Sequence, residues 1–168
     1  MAAISSMFLA FLNKGDHLVV QNTLYGGTVN FIKEEFPKYG IEYTFTKGYS
    51  VEDFENAIQA NTKLIHFETP SNPLMTVTDI KGLTKMAKDK GILTSIDNTF
   101  ASPVNQNPID LGLDLVMHSA TKYLGGHSDI CAGAVAGSAA HIDTIWHVAR
   151  NFGGSLSDMT VWMLERSM

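Results

Sequence analysis

Residues 87–97 read AKDKGILTSID, and their order decides the fold. The lysines up to Lys90 suit the last turn of a helix, where cations face the negative end of the helix dipole. Gly91 suits the left-handed residue that ends a helix, because it carries no Cβ to clash there. ILTSI then suits a buried strand, and an acid, Asp97, closes the run. The same order occurs twice more, in LNKGDHLVV (12–20) with Gly15 and in FPKYGIEYTFT (36–46) with Gly40. Helix-to-strand junctions therefore recur along the chain.

Working outward, Ser50 ahead of VEDFENAIQA has Asp53 three residues on, an imperfect capping box. Thr78 is expected to cap DIKGLTKMAKDK in the same way. Apolar runs at HLVV, YTFT, KLIHF, GILTSI, DLVMHS and AGAVAG suit buried strands, and helical patterns separate several of them. That alternation predicts an α/β domain, a mostly parallel sheet flanked by helices.

Open α/β sheets bind ligands at the carboxyl ends of their strands, so the residues after each strand matter most. HLVVQNT is followed by LYGGT with Tyr25; KLIHF by ETPSNP with Glu68 and Asn72; GILTSI by Asp97; and DLVMH by SATK with Ser119, Thr121 and Lys122. Parallel strands would bring an amine, a carboxylate, hydroxyls, an amide and an aromatic ring to one rim. Pyridoxal 5'-phosphate needs such a set: a lysine for attachment and an acid that keeps the ring nitrogen protonated. Lys122 and Asp97 fit those needs. Hydroxyls and helix-start amides can hold a phosphate, and Ser119 and Thr121 would share a face of an extended segment. Tyr25 can stack on a ring. The apolar, glycine-rich neighbours of Lys122 predict a poorly solvated amine.

Each residue also has a plainer reading. Lys122 can be a surface lysine, Asp97 a turn cap and Tyr25 a loop aromatic. Asn72 before Pro73 is a turn signal as well as a binding candidate. Glu68 is a strand-end acid without an assigned catalytic role. His66, His118 and His127 match no zinc spacing and read as packed or hydrogen-bonded histidines; no metal is expected. Cys131 reads as a small core residue, and Trp146 and Trp162 as core or interface.

Taken together, SATKYLGGHSD (119–129), SIDNTFASP (95–103), ETPSNP (68–73) and TLYGGT (23–28) resemble, in order and spacing, the Cys/Met-metabolism family of PLP-dependent enzymes. The resemblance runs from Met1 to about Arg166. It implies the large domain of a PLP-dependent transferase-like, fold type I enzyme. It implies trans-sulfuration chemistry on a sulfur amino acid, with carbon–sulfur lysis of cystathionine or a relative favoured. Its γ-replacement branch and a non-catalytic assembly module stay open. By the same resemblance Lys122 matches the lysine that carries the cofactor, Asp97 the partner of the ring nitrogen, and Tyr25 the stacking tyrosine that assists proton transfer. Ser119 and Thr121 match phosphate anchors, Asn72 an asparagine near the substrate carboxylate, and Met1 the start of a helix whose amides touch the phosphate. Gly27 stands where methionine γ-lyases typically carry a cysteine. The family's phosphate-binding N-terminal arm and its C-terminal domain are not matched. Residues 1–168 are thus expected to be a partial PLP-binding large domain of a cytoplasmic homo-oligomer, a dimer of dimers.

The totals exclude other classes. At 168 residues the chain can bury one core. It is 45% hydrophobic and 17% charged, with a net charge of −5 and no basic run, which argues against nucleic acid or an anionic membrane as a partner. One cysteine cannot close an internal disulfide, and the first residues carry no secretory pattern, so a reducing cytoplasmic setting is expected. The first helix, MAAISSMFLAFL, is apolar on nearly every face and calls for burial all round. Both ends read as cuts through structure, pointing to a piece of a longer protein.

Overall fold

The computed structural model describes residues 1–168. Its elements run α1 (Ala2–Phe11), β1 (His17–Val20), α2 (Gly26–Tyr39), β2 (Glu42–Phe45), α3 (Val51–Glu55), β3 (Thr62–Glu68), α4 (Ile80–Asp89), β4 (Leu93–Asp97), α5 (Ser102–Asn105), a 3₁₀ turn (Pro108–Leu111), β5 (Leu115–His118), β6 (Ala134–Gly137), α6 (Ala139–Phe152) and α7 (Asp158–Ser167). The six strands form one sheet in the order β2-β1-β3-β4-β5-β6. The first five are mutually parallel and β6 joins β5 antiparallel. All six expected strands are present, but β2 and β6 are not buried: they are the edge strands of the sheet, with a neighbour on one side only. The alternation of helix and strand leaves no sign for the reversal at β6, because that turn-back follows from the loop after Lys122 rather than from a crossover helix.

Alternation along each strand divides the core into two layers. Leu18 and Val20 of β1, Leu64 of β3, and Leu115 and Met117 of β5 pack with Ile4, Met7 and Phe8 of α1, with Ile32 and Phe36 of α2 and with Ile145 of α6. Val19, Ile65, Phe67, Ile96 and Val116 point the other way, onto Phe54 of α3 and Leu83 and Ala87 of α4. Phe8, Phe36, Phe54 and Phe67 are fully buried, each contributing roughly 1.5–3 kcal/mol over an exposed side chain. The apolar α1 is covered as expected: only Met1 and Ala2 are exposed, and α6 lies against it.

Gly40 (φ 67°) ends α2 in the left-handed conformation, and Gly91 (φ 67°) follows α4. Gly15 is also left-handed, but α1 stops earlier, so Gly15 serves the turn before β1 rather than a helix end. The Ser50–Asp53 capping box forms in full. The expected cap at Thr78 does not: Asp79 is the N-cap of α4, its carboxylate accepting from Gly82 N–H at 3.0 Å, while Thr78 Oγ1 is buried without a partner. Asp is the stronger cap because it accepts as an anion at the positive helix end. No helix is long and apolar enough to cross a membrane.

Candidate active site

Five parallel strands place Val20, Phe45, Glu68, Asp97 and His118 at one edge of the sheet. Above it lies a cavity of about 760 Å³. Its walls include every residue singled out by the sequence for cofactor or substrate: Met1, Tyr25, Asn72, Asp97, Ser119, Thr121 and Lys122. They come from five separate segments, and the parallel order of the strands is what brings them together.

Asp97 ends β4 in register with Glu68 of β3 and Met117 of β5. It is buried, and burial pushes its carboxyl above the ordinary range, opposed by hydrogen bonds from Thr99. Both Thr99 donors, N–H (3.0 Å) and Oγ1–H, go to Asp97 Oδ1. Oδ2 is left without a hydrogen bond inside the chain. Thr99 Oγ1 also accepts from Ser119 N–H at 2.8 Å, so one hydroxyl links the acid to the segment that carries Lys122. Thr99 was not among the sequence candidates. The signal was present in DNT, since an Asp followed two residues later by Thr forms a local Asx turn.

The segment after β5 is not extended. Residues 120–125 form tight turns, with Lys122 N–H bonded to Ser119 O, Gly125 N–H to Ala120 O and Gly126 N–H to Lys122 O. A Cβ on Gly125 would lie 2.8 Å from Ala120 O, so the turn admits only glycine there. Ser119 and Thr121 consequently do not alternate on one strand face. The Ser119 hydroxyl makes no hydrogen bond in the chain. The Thr121 hydroxyl gives its proton to Ala132 O (3.1 Å) and accepts from Ala132 N–H (3.0 Å), so it clamps the loop instead of offering a free donor. Lys122 is exposed at the cavity and makes no ion pair, contrary to the poorly solvated setting its neighbours predicted. The turn carries the side chain out from the apolar surroundings that the sequence placed beside it.

Tyr25 is the N-cap of α2 but supplies no side-chain cap; its ring lies over Gly27, half exposed. Its N–H donates to Glu68 Oε2 at 3.0 Å. Asn72 lines the same cavity. Glu68 is buried, and its carboxyl is pushed up to about 8, by burial first and then by the charge of Asp97, with the Tyr25 and Asn72 amides opposing. The sequence had left it without a role. At the other wall, the first turn of α1 (Met1, Ala2, Ala3) faces the cavity with no side-chain cap on its amides.

Cys131 lines the cavity and is exposed, so it is not a core residue. Trp146 (52% exposed) and Trp162 (56%) are not core either, and Trp146 lines the outer cavity. Of the histidines, His66 is fully buried with Nδ1 bonded to Ser95 Oγ and its ring edge-on to Phe8; His118 is buried; His127 is exposed and bonded to Gly125 O.

The donor set fits pyridoxal phosphate. The cavity combines an unpaired amine, a buried acid with one uncommitted oxygen, a free hydroxyl and uncapped helix-start amides, which are the partners of an aldehyde, a pyridine nitrogen and a phosphate. Known proteins agree with this chemistry. Along all 169 aligned positions the chain is 43% identical to cystathionine beta-lyase MetC of Bacillus subtilis (strain 168), covering 100% of this chain and 43% of that relative. It is 39% identical to the cystathionine gamma-synthase/O-acetylhomoserine (thiol)-lyase of the same organism, over 100% of this chain and 45% of the relative. The crystal structure of cystathionine gamma-lyase from Lactobacillus plantarum complexed with L-serine superimposes with a TM-score of 0.95 at 42% identity, covering 99% of this chain and 44% of that one. The chain thus spans less than half the length of the relatives it matches. The family model for Cys/Met metabolism PLP-dependent enzymes matches residues 1–168 in full, and the chain belongs to that family.

Proposed function

We propose that this site serves a PLP-dependent trans-sulfuration enzyme that cleaves a carbon–sulfur bond of cystathionine or a related amino acid. The observation that carries the reading is the shared cavity: Lys122 and Asp97, from different strand ends, open onto one space together with Ser119 and the start of α1. When bound, pyridoxal phosphate supplies an electron sink that stabilises negative charge at the substrate Cα. Lys122 Nζ would hold the cofactor through its aldehyde and would serve as the base that moves a proton at the substrate Cα. Asp97, its Oδ1 fixed by Thr99, would keep the proton on the ring nitrogen. Ser119 and the α1 amides hold the phosphate, and Thr121 supports them by closing the loop onto Ala132. Tyr25 covers the ring and relays a proton; Asn72 orients the substrate carboxylate. We read residues 1–168 as one partial cofactor-binding domain, and place the whole protein in the cytoplasm as a homo-oligomer.

The test adds pyridoxal phosphate to the chain and records the visible band of the bound cofactor, then adds cystathionine. The band is expected in the chain and absent in Lys122→Ala; its persistence in that variant overturns the reading. Pyruvate with homocysteine marks β-cleavage, and 2-oxobutyrate with cysteine marks γ-cleavage. A second reading, a unit that binds cofactor without turnover of its own, is favoured by the coverage of under half of each relative. It is marked by the band without either 2-oxo acid.

A further inference from the structure

Two acids are buried in this chain, Asp97 and Glu68, and the proposed chemistry uses only the first. Burying a carboxyl is costly unless it is bonded, so a second one beside the first calls for a reason. Glu68 closes β3, and its backbone N–H is fixed by the Oε1 of Gln21, itself fully buried (3.2 Å). Its side chain points into the cavity in register with Asp97. There it accepts from the amide of Tyr25, at the loop tip after β1.

Neither the Tyr25 hydroxyl nor the Asn72 side chain makes a hydrogen bond within the chain. Tyr25 sits at a helix start whose own side chain does not cap it. In an ordinary capping box an acid three residues into the helix accepts from the N-cap N–H. That position in α2 is Thr28, and Glu68, forty-three residues away, accepts instead. The helix start is thereby fastened to the sheet edge, and with it the angle at which the ring leaves the backbone.

We propose that Glu68 is a positioning residue, whose carboxyl holds the Tyr25 amide so that the Tyr25 ring faces the cavity beside Asn72. The inference rests on the PLP reading above. It requires an acceptor oxygen at this reach, not a charge.

The experiment measures pyridoxal phosphate affinity and the circular dichroism induced in the cofactor band, for the chain and its variants. Glu68→Ala is expected to weaken affinity about tenfold and reduce the induced signal, the size of a lost hydrogen bond to a carboxyl. Glu68→Gln, which keeps an oxygen in place, is expected within about threefold of the parent chain. In a Tyr25→Ala background, Glu68→Ala is expected to cost nothing further, because the group it acts through is gone. If Glu68→Ala does not fold, Glu68→Asp carries the test: it keeps the carboxyl but withdraws the oxygen by one methylene, and is expected to lose affinity where Gln does not. Glutamine as damaging as alanine, an undiminished loss in the Tyr25→Ala background, or no effect at all overturns the proposal. Amide hydrogen exchange of Tyr25 in the cofactor-free chain reads the same contact independently. Slow exchange in the parent and Gln chains with fast exchange in the Ala chain supports it, and equal rates overturn it. A parent chain without a Lys122-dependent band sinks the cofactor reading alone, while exchange still decides the role of Glu68.

Discussion

Gly27 lies beneath the Tyr25 ring. A Cβ there would sit 2.5 Å from Tyr25 Cε1, so any larger residue displaces the ring rather than the backbone. Gly27→Ala is therefore expected to leave stability unchanged or to raise it by up to about 1 kcal/mol, the helix propensity gained. Cofactor affinity is expected to fall roughly two- to tenfold, the value of one aromatic contact. A denaturant midpoint and a cofactor titration separate the two effects; an unchanged affinity would remove Tyr25 from the site. At this scale the sequence was informative where a residue's role follows from its place at a strand end. Lys122, Asp97 and Ser119 all reach the cavity for that reason. It was silent where the role depends on a partner far along the chain. Nothing in ETPSNP indicates that Glu68 meets Tyr25, and nothing in SATK indicates that the Thr121 hydroxyl is taken by Ala132.

Helix ends carry the legible part of the fold, and the start of α4 shows its limit. Both Thr78 and Asp79 are capping types, and the chain direction at the loop chooses between them. Thr78 N–H is held by Thr69 Oγ1, which leaves Asp79 facing the first turn of α4. Asp79→Ala is expected to destabilise the chain by about 1 kcal/mol through the lost cap. Thr78→Val removes a buried hydroxyl that has no partner and is expected to be neutral or slightly stabilising. Urea midpoints of the two variants check the contrast; equal losses would mean that the α4 start is held by something else. The strands were legible as apolar runs bounded by turns, and five of them are parallel as expected. The direction of β6 was not, because four apolar residues carry no sign of which way they run.

Across the whole molecule, buried titrating groups oppose one another. His66 stays neutral in the fold, its ring pushed from 6.5 down to about 3 by burial, and His17 and His118 are lowered in the same sense. A lowered histidine gives stability that is present above pH 6.5 and lost as the pH falls below it. Glu68 acts in reverse. Its carboxyl is raised from 4.5 to about 8, so its contribution is complete below pH 4.5 and is lost as the pH rises toward 8. Asp97, also raised, adds to that decline from the acid side. Between pH 4.5 and 6.5 the two trends oppose each other; from 6.5 to 8 the histidines no longer change and the raised carboxyls lower stability, Glu68 by up to about 1.4 kcal/mol per pH unit. The melting temperature of the cofactor-free chain is therefore expected to vary little from pH 4.5 to 6.5 and to fall above it. Glu68→Gln removes the Glu68 share of the alkaline limb, so its melting temperature should fall less between pH 6.5 and 8 than that of the parent chain. Thermal midpoints from pH 5 to 9 distinguish the profiles. An alkaline decline undiminished in Glu68→Gln would mean that the sheet edge holds Glu68 ionised across this range, and the limb would then belong to Asp97.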